Sequence, residues 1–169
     1  MKIFLVGLPG CGKSTLGKQL AEKLSIAFFD LDTEIEKSVG LPVKSIFKRY
    51  GELFFRKEES ESLQRLSEGP ASFVMATGGG TPIFFDNMVY MNKNGFTIFL
   101  DVPATEIANR ILKSALEERP LFSGVHPEEL KDQIEFLRSQ RIPFYRQAQA
   151  SLSGEVILLD EIVKAVSKS

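Results

Sequence analysis

The sequence predicts an α/β protein: a three-layer fold with a five-stranded parallel sheet flanked by helices, and a mobile lid. Three observations lead there. Short apolar runs alternate with stretches of helical spacing along the whole chain, the pattern of a parallel sheet covered on both faces. The first run, Lys2-Ile3-Phe4-Leu5-Val6, leads into Gly7-Leu8-Pro9-Gly10-Cys11-Gly12-Lys13-Ser14, and Leu16, Leu20 and Leu24 follow one helical turn apart. Later, residues 115–126 form a polar stretch broken by Pro120 and Gly124, which reads as the lid. At 169 residues with no repeat, low-complexity tract or linker, the chain is expected to be one domain over 1–169.

In order, the first strand and glycine-rich loop give way to a helix over Thr15–Leu24. Ala27-Phe28-Phe29 forms a second strand ending in Asp30-Leu31-Asp32. Helical segments follow around Thr33–Ser38 and Val43–Tyr50, with Gly40-Leu41-Pro42 between them. A longer helix spans about Glu52–Leu66 and stops before Gly69-Pro70. Ser72–Ala76 is a third strand, followed by Thr77-Gly78-Gly79-Gly80. Phe96–Leu100 is a fourth, and Pro103 opens the next helix at its first turn. Pro127 starts a long helix to about Gln149. Val156–Leu159 reads as the fifth strand before a short C-terminal helix.

The glycine-rich loop fits G-x-x-x-x-G-K-[ST], with the strand before it and the helix after it that the motif requires, so the fold is expected to be a P-loop fold. Its glycines let backbone N–H groups converge on an anion, and the following helix adds its unpaired donors and positive dipole end. Gly10, Cys11, Gly12, Lys13, Ser14 and Thr15 are therefore expected to bind ATP. Lys13 reaches the β- and γ-phosphates, and Ser14 offers its hydroxyl to Mg²⁺. A chance glycine-rich turn is the alternative to this reading. Cys11 is the single cysteine, so no internal disulfide can form and a reducing, cytoplasmic setting is expected. Its thiol reads as a small filler in the loop, and a reactive thiol at a helix start is the alternative.

Composition excludes several classes. Lys plus Arg number 21 against 22 Asp plus Glu, so no global field draws the chain to nucleic acid or anionic lipid. Hydrophobic content of 43% with 25% charged residues is ordinary for a globular protein. No apolar run approaches the ~20 residues of a spanning helix. The N-terminus enters a strand at once, leaving no room for a signal peptide. A monomer acting on small molecules is expected.

Within P-loop proteins, a GTPase needs an Asn-Lys-x-Asp guanine reader after a strand. Asn92-Lys93-Asn94-Gly95 lacks the carboxylate and precedes one. A motor carries an acid at the end of an apolar strand, whereas the third strand here ends in Ala76-Thr77 and three glycines. Carboxylates stand instead at Asp30 and Asp32, at a strand end facing the ligand crevice. Alternation along an extended segment would put both on one side, suiting one metal-linked role and one base role. Capping of the next helix is the alternative. Arg141 falls four residues after Leu137 on the stripe of Leu130 and Ile134, and an arginine there needs a partner. Ligand and structural ion pair are both open. Glu59 lies on the stripe of Phe55, Leu63 and Leu66, one turn from Arg56, where it could leave the Arg56 fork for a carboxylate; a plain surface pair is the alternative.

At these residues the chain resembles the shikimate kinase family. The resemblance rests on the P-loop, Asp30-x-Asp32, Gly51-Glu52 followed by Phe55-Arg56, and Gly78-Gly79-Gly80. It continues with Glu118-Arg119-Pro120-Leu121 and Arg141-x-Pro143-x-Tyr145. It implies a five-stranded sheet of the nucleoside-monophosphate-kinase type, a substrate-binding segment over about 31–60, and the lid. It implies transfer of the ATP γ-phosphate to the 3-hydroxyl of shikimate, with Mg²⁺, in aromatic amino-acid biosynthesis. By position it makes Asp32 the holder of the shikimate hydroxyls and a candidate for taking the proton. Asp30 would order Mg²⁺ through water. Arg56 and Arg141 would clamp the carboxylate, with Gly78, Gly79 and Gly80 beside them. Arg119 becomes the lid arginine on the phosphates, catalytic with Lys13 and Asp32, and Arg110 a nucleotide contact beside adenine. His126 is assigned no chemistry. In one respect the chain departs from the family: Leu158-Leu159-Asp160-Glu161-Ile162 leaves almost no room for an adenine loop between last strand and last helix. A kinase for another hydroxy acid such as gluconate, and a non-catalytic ATP-binding protein, are the rival readings.

Overall fold

A computed structural model describes residues 1–113 and 127–168, with side chains from residue 129 onward in the second segment. The described residues build a five-stranded parallel sheet in the order β2-β3-β1-β4-β5. The strands are β1 (Lys2–Val6), β2 (Ala27–Asp30), β3 (Phe73–Ala76), β4 (Phe96–Asp101) and β5 (Ala150–Ser153). The helices are α1 (Lys13–Leu24), α2 (Leu31–Val39), α3 (Val43–Ser67), α4 (Asn87–Asn94), α5 (Ala104–Lys113), α6 (Pro127–Tyr145) and α7 (Leu159–Val166), with a 3₁₀ turn at Thr81–Ile83.

β1 is central because it can be: Ile3, Phe4, Leu5 and Val6 are wholly buried, as a strand covered on both faces demands. It pairs with β3 through Ile3 opposite Val74 and with β4 through Leu5 opposite Ile98. Edge-to-face rings at Phe4–Phe73 and Phe29–Phe73 tie β1, β2 and β3 into one core. The central position of β1 puts the loop after it at the carboxyl edge of the sheet, between the ends of β3 and β4. Ligands bind at such an edge.

The two helical segments expected around Val43–Tyr50 and Glu52–Leu66 are the two halves of α3, broken at Gly51, whose backbone at φ 82°, ψ 173° is not helical. Asp32 sits in the first turn of α2 instead of continuing an extended strand, so alternation is not what brings it beside Asp30. The chain turns from strand to helix between them. Asp30 is also the cap of that helix, its Oδ1 accepting from the Thr33 N–H at 3.4 Å, so the capping alternative holds together with the functional one.

The fifth strand needs correction. It is Ala150–Ser153 and not Val156–Leu159, and α6 ends at Tyr145 and not near Gln149. Val156 and Leu158 are 70% and 59% exposed, so the apolar run is not a core strand. β5 pairs with β4 alone, Ile98 opposite Ala150, and half-buries only Ala150 and Leu152. An edge strand needs just one apolar face, so Ala-Ser-Leu-Ser suffices. One consequence overturns the apparent lack of room between the last strand and the last helix: residues 154–158 form a loop between β5 and α7. The expected lid at 115–126, with Arg119 and His126, lies outside the described residues.

Candidate active site

A cavity of about 780 Å³ opens at the carboxyl edge of β1, β2 and β3. Most of the residues expected to act there line it: the P-loop from Gly10 to Thr15, Asp30, Asp32, Arg56, Gly78 to Gly80, Arg110 and Arg141.

The P-loop forms its floor. Gly10 and Gly12 have φ of 87° and 103°, a region L side chains rarely enter, and Gly12 is the residue that starts α1. Lys13 is buried, and its ammonium donates to the carbonyls of Gly7 and Leu8, each at 2.9 Å. Cys11 is buried, its sulfur 3.8 Å from the Lys13 ammonium. The Ser14 hydroxyl donates to Asp30 Oδ2 at 2.5 Å. A hydroxyl and a carboxylate in contact are hard oxygen donors of the kind Mg²⁺ takes, so these residues fit that ion. Among the described residues no three His, Cys, Asp or Glu side chains cluster as a metal site. Mg²⁺ commonly needs only one or two protein oxygens beside water and phosphate.

Beside the P-loop, Arg110 joins three parts of the wall. Its Nε donates to Glu106 at 2.7 Å, Nη1 to the Cys11 carbonyl at 3.2 Å, and Nη2 to the Glu155 carbonyl. It thus ties the P-loop to the 154–158 loop, and Val156 and Ile157 of that loop line the cavity beside it.

The Asp32 carboxyl, which faces this space, is strongly displaced. Desolvation, then the neighbouring charges of Glu59 and Asp30, push its carboxyl up to about 7, against the opposing pull of Lys13 and Arg56. At neutral pH it can hold or release a proton.

Arg56 is 7% exposed and held on two sides. Its Nη1 donates to Glu59 Oε2 at 2.9 Å, while Nε and Nη2 both donate to Glu52 Oε1 at 3.3 Å. Among the described residues, two of the five guanidinium N–H groups therefore remain, one on each terminal nitrogen. Phe84, Phe55 and Phe47 surround the cation at 4.6, 5.2 and 5.8 Å from their ring centres. Behind it runs a buried chain of hydrogen bonds. The Thr81 hydroxyl donates to Glu59 Oε1 at 2.6 Å, the Asn87 amide donates to the Thr81 carbonyl at 3.1 Å, and the Ser60 hydroxyl donates to Asn87 Oδ1 at 2.8 Å. Burial raises the Glu59 carboxyl, and Arg56 and Thr81 oppose the rise. Arg56 and Glu59 are thus a buried pair and not a surface one.

Arg141 is 8% exposed, and its Nη1 has no hydrogen-bond partner among the described residues. No carboxylate of the described residues lies within ion-pair distance of it. Nη1 lies 2.8 Å from where a Cβ on Gly79 would stand, and Arg56 fills the corresponding space at Gly80. The triple glycine is therefore required by close approach: side chains there would displace both arginines.

Sequence reasoning missed Thr81, Asn87 and Ser60. Each is a polar residue in unremarkable surroundings, and only the buried position of Glu59 turns them into a supporting network.

The comparisons with known proteins agree with this geometry. The model of the family described as shikimate kinase matches residues 9–169. A shikimate kinase of Bacteroides fragilis is 45% identical over 148 residues, covering 88% of this chain and 82% of the relative. A shikimate kinase of Parabacteroides distasonis is 38% identical over 168 residues, covering 99% and 96%. Among solved structures, shikimate kinase from Bacteroides thetaiotaomicron superposes with a TM-score of 0.90 at 36% identity, covering 99% of this chain and 97% of that one. Shikimate kinase from Acinetobacter baumannii in complex with shikimate gives 0.87 at 30%, covering 99% and 90%. With a phosphate loop, a paired aspartate and two facing arginines in one pocket, and with relatives of this identity across nearly its whole length, the chain belongs to the shikimate kinase family.

Proposed function

We propose that this pocket transfers the γ-phosphoryl group of ATP to the 3-hydroxyl of shikimate, with its side chains dividing the work as follows. The observation that carries the reading is Arg141, a buried cation without a carboxylate partner among the described residues, directed at the glycine turn where Arg56 also arrives. Burying such a charge unpaired is expensive, so the site is built for an anion that comes with the ligand. Two guanidinium groups suit one carboxylate, and Val43 and Phe47 in the same wall suit a carbon ring.

Asp32 faces the acceptor hydroxyl and orients it, and with its carboxyl pushed up to about 7 it is able to take the proton as the new bond forms. A loose phosphoryl-transfer transition state asks for positioning more than for a strong base. Lys13 exchanges its two loop carbonyls for the β- and γ-phosphate oxygens. Ser14 and Asp30, the latter through water, would hold Mg²⁺, which when bound would offset charge on those phosphates. Arg110 and the 154–158 loop flank the base. Arg119, proposed from its motif alone, meets the transferring group from the lid. Only small molecules are needed as partners, and neither nucleic acid nor membrane is. We assign a monomer in the cytoplasm; among the described residues no helix is long and apolar enough to cross a membrane.

The test is ADP release measured against a panel of hydroxy acids, with and without Mg²⁺. Turnover that needs both shikimate and the metal is expected, with none on gluconate. Turnover on gluconate and not shikimate, or ATP binding with no acceptor-dependent turnover, would overturn the reading.

A further inference from the structure

The hydroxyl of Tyr145 has no part in the chemistry above, yet it is built into the back of the site. Tyr145 lies one turn after Arg141 on α6 and is fully buried. Its ring packs on Phe99 at 5.1 Å between centres, and its hydroxyl donates to the Gly79 carbonyl at 2.6 Å. Burial raises its pKa against the opposing charge and hydrogen bond of Arg141, which also reaches this hydroxyl, so the hydroxyl stays a donor toward Gly79.

Three glycines offer no side chain by which their turn could be held. The Gly78 and Gly80 carbonyls are fixed from within, accepting from the N–H groups of Thr81 at 3.1 Å and Ile83 at 3.0 Å. The middle carbonyl, Gly79, is fixed from outside, among the described residues only by Tyr145. A peptide unit is planar and trans, so a Gly79 carbonyl directed at Tyr145 turns the Gly80 N–H the opposite way. That N–H finds no acceptor among the described residues, and the terminal nitrogens of Arg56 stand beside Gly80.

We infer that Tyr145 is a positioning residue for substrate recognition: its hydroxyl sets the Gly79–Gly80 peptide plane so that the Gly80 N–H donates to the bound acid beside Arg56. The inference rests on the shikimate kinase reading. It gives α6 two functions one turn apart, a charge from Arg141 and the orientation of a backbone donor from Tyr145.

Tyr145→Phe keeps the ring and removes only the hydroxyl. It should raise KM for shikimate roughly five- to tenfold, the scale of one hydrogen bond, with kcat and KM for ATP within about twofold. Phe99→Leu loosens the same packing while keeping the hydroxyl, and should leave KM for shikimate unchanged although it lowers the melting temperature. The effect of Tyr145→Phe should persist in an Arg141→Lys background. An unchanged KM in Tyr145→Phe, an equal rise in both KM values, an equal effect from Phe99→Leu, or loss of the effect in the Arg141→Lys background would overturn the assignment. Wild-type protein inactive on shikimate would refute the reading beneath it.

Discussion

Asp32 shows a cost in stability concentrated at a single residue of the cavity. Its carboxyl is displaced from 3.8 up to about 7, chiefly by desolvation and then by Glu59 and Asp30. A carboxyl raised in the folded state binds its proton more tightly there than in the unfolded chain. Its contribution to stability is therefore complete below about pH 4 and is lost as pH rises through 7. The free protein, in EDTA and without nucleotide, should melt at progressively lower temperature between pH 5 and pH 8. Asp32→Asn carries no charge to penalise, so it should melt several degrees above the wild type at pH 8, with the gap closing toward pH 5, while transfer is abolished. A variant that melts below the wild type at pH 8 would show that Asp32 is held by favourable contacts and is not under strain. Arg56 illustrates the opposite arrangement: three of its five N–H groups are engaged within the protein, so its geometry is set before any ligand arrives.

At the scale of elements, the site depends on α3, the turn at Thr81–Ile83 and α4 being locked together behind Arg56. Asn87, the first residue of α4, closes that lock by joining the Ser60 hydroxyl to the Thr81 carbonyl. Asn87→Ala removes the partner of the Ser60 hydroxyl proton and of the buried Thr81 carbonyl, a loss of about 1–3 kcal/mol, or roughly 2–10 °C in a protein of this size. Urea melts of the variant should show a lower midpoint at an unchanged slope, with KM for shikimate raised and KM for ATP spared. A midpoint equal to the wild type would mean that water takes the place of the amide. The same elements show where the sequence was legible. Wholly buried strands declare themselves by composition, as Ile3-Phe4-Leu5-Val6 does, and the P-loop by its glycines and lysine. β5 was misplaced because an edge strand buries alternate residues only, and Ala150 and Leu152 are too small a signal beside the run Val156–Leu159. α4 passed unnoticed because its inward residues, Asn87, Met88 and Met91, mix polar with apolar. The supporting residues Thr81, Asn87 and Ser60 take their meaning from a three-dimensional neighbour, Glu59, that no spacing rule connects to them. Asp30 and Asp32 were found, although through alternation where the chain in fact turns from strand into helix.

Across the whole molecule, the sheet brings together segments far apart in the chain: the P-loop after β1, the aspartates at the junction of β2 and α2, the glycine turn after β3, and Arg141 from α6. On the proposed reading, phosphate donor and acceptor acid meet at one edge, the acid held by its carboxylate so that a hydroxyl, and not water, faces the γ-phosphate. Each charge-assisted arginine contact contributes about 1.5–3 kcal/mol, which is one to two decades in binding. The most direct test compares kcat/KM on shikimate with that on its methyl ester, which keeps the ring and hydroxyls but carries no anion. The arrangement of Arg56 and Arg141 predicts at least a tenfold to hundredfold loss on the ester, with KM for ATP unchanged. Equal kcat/KM on the acid and the ester would contradict it.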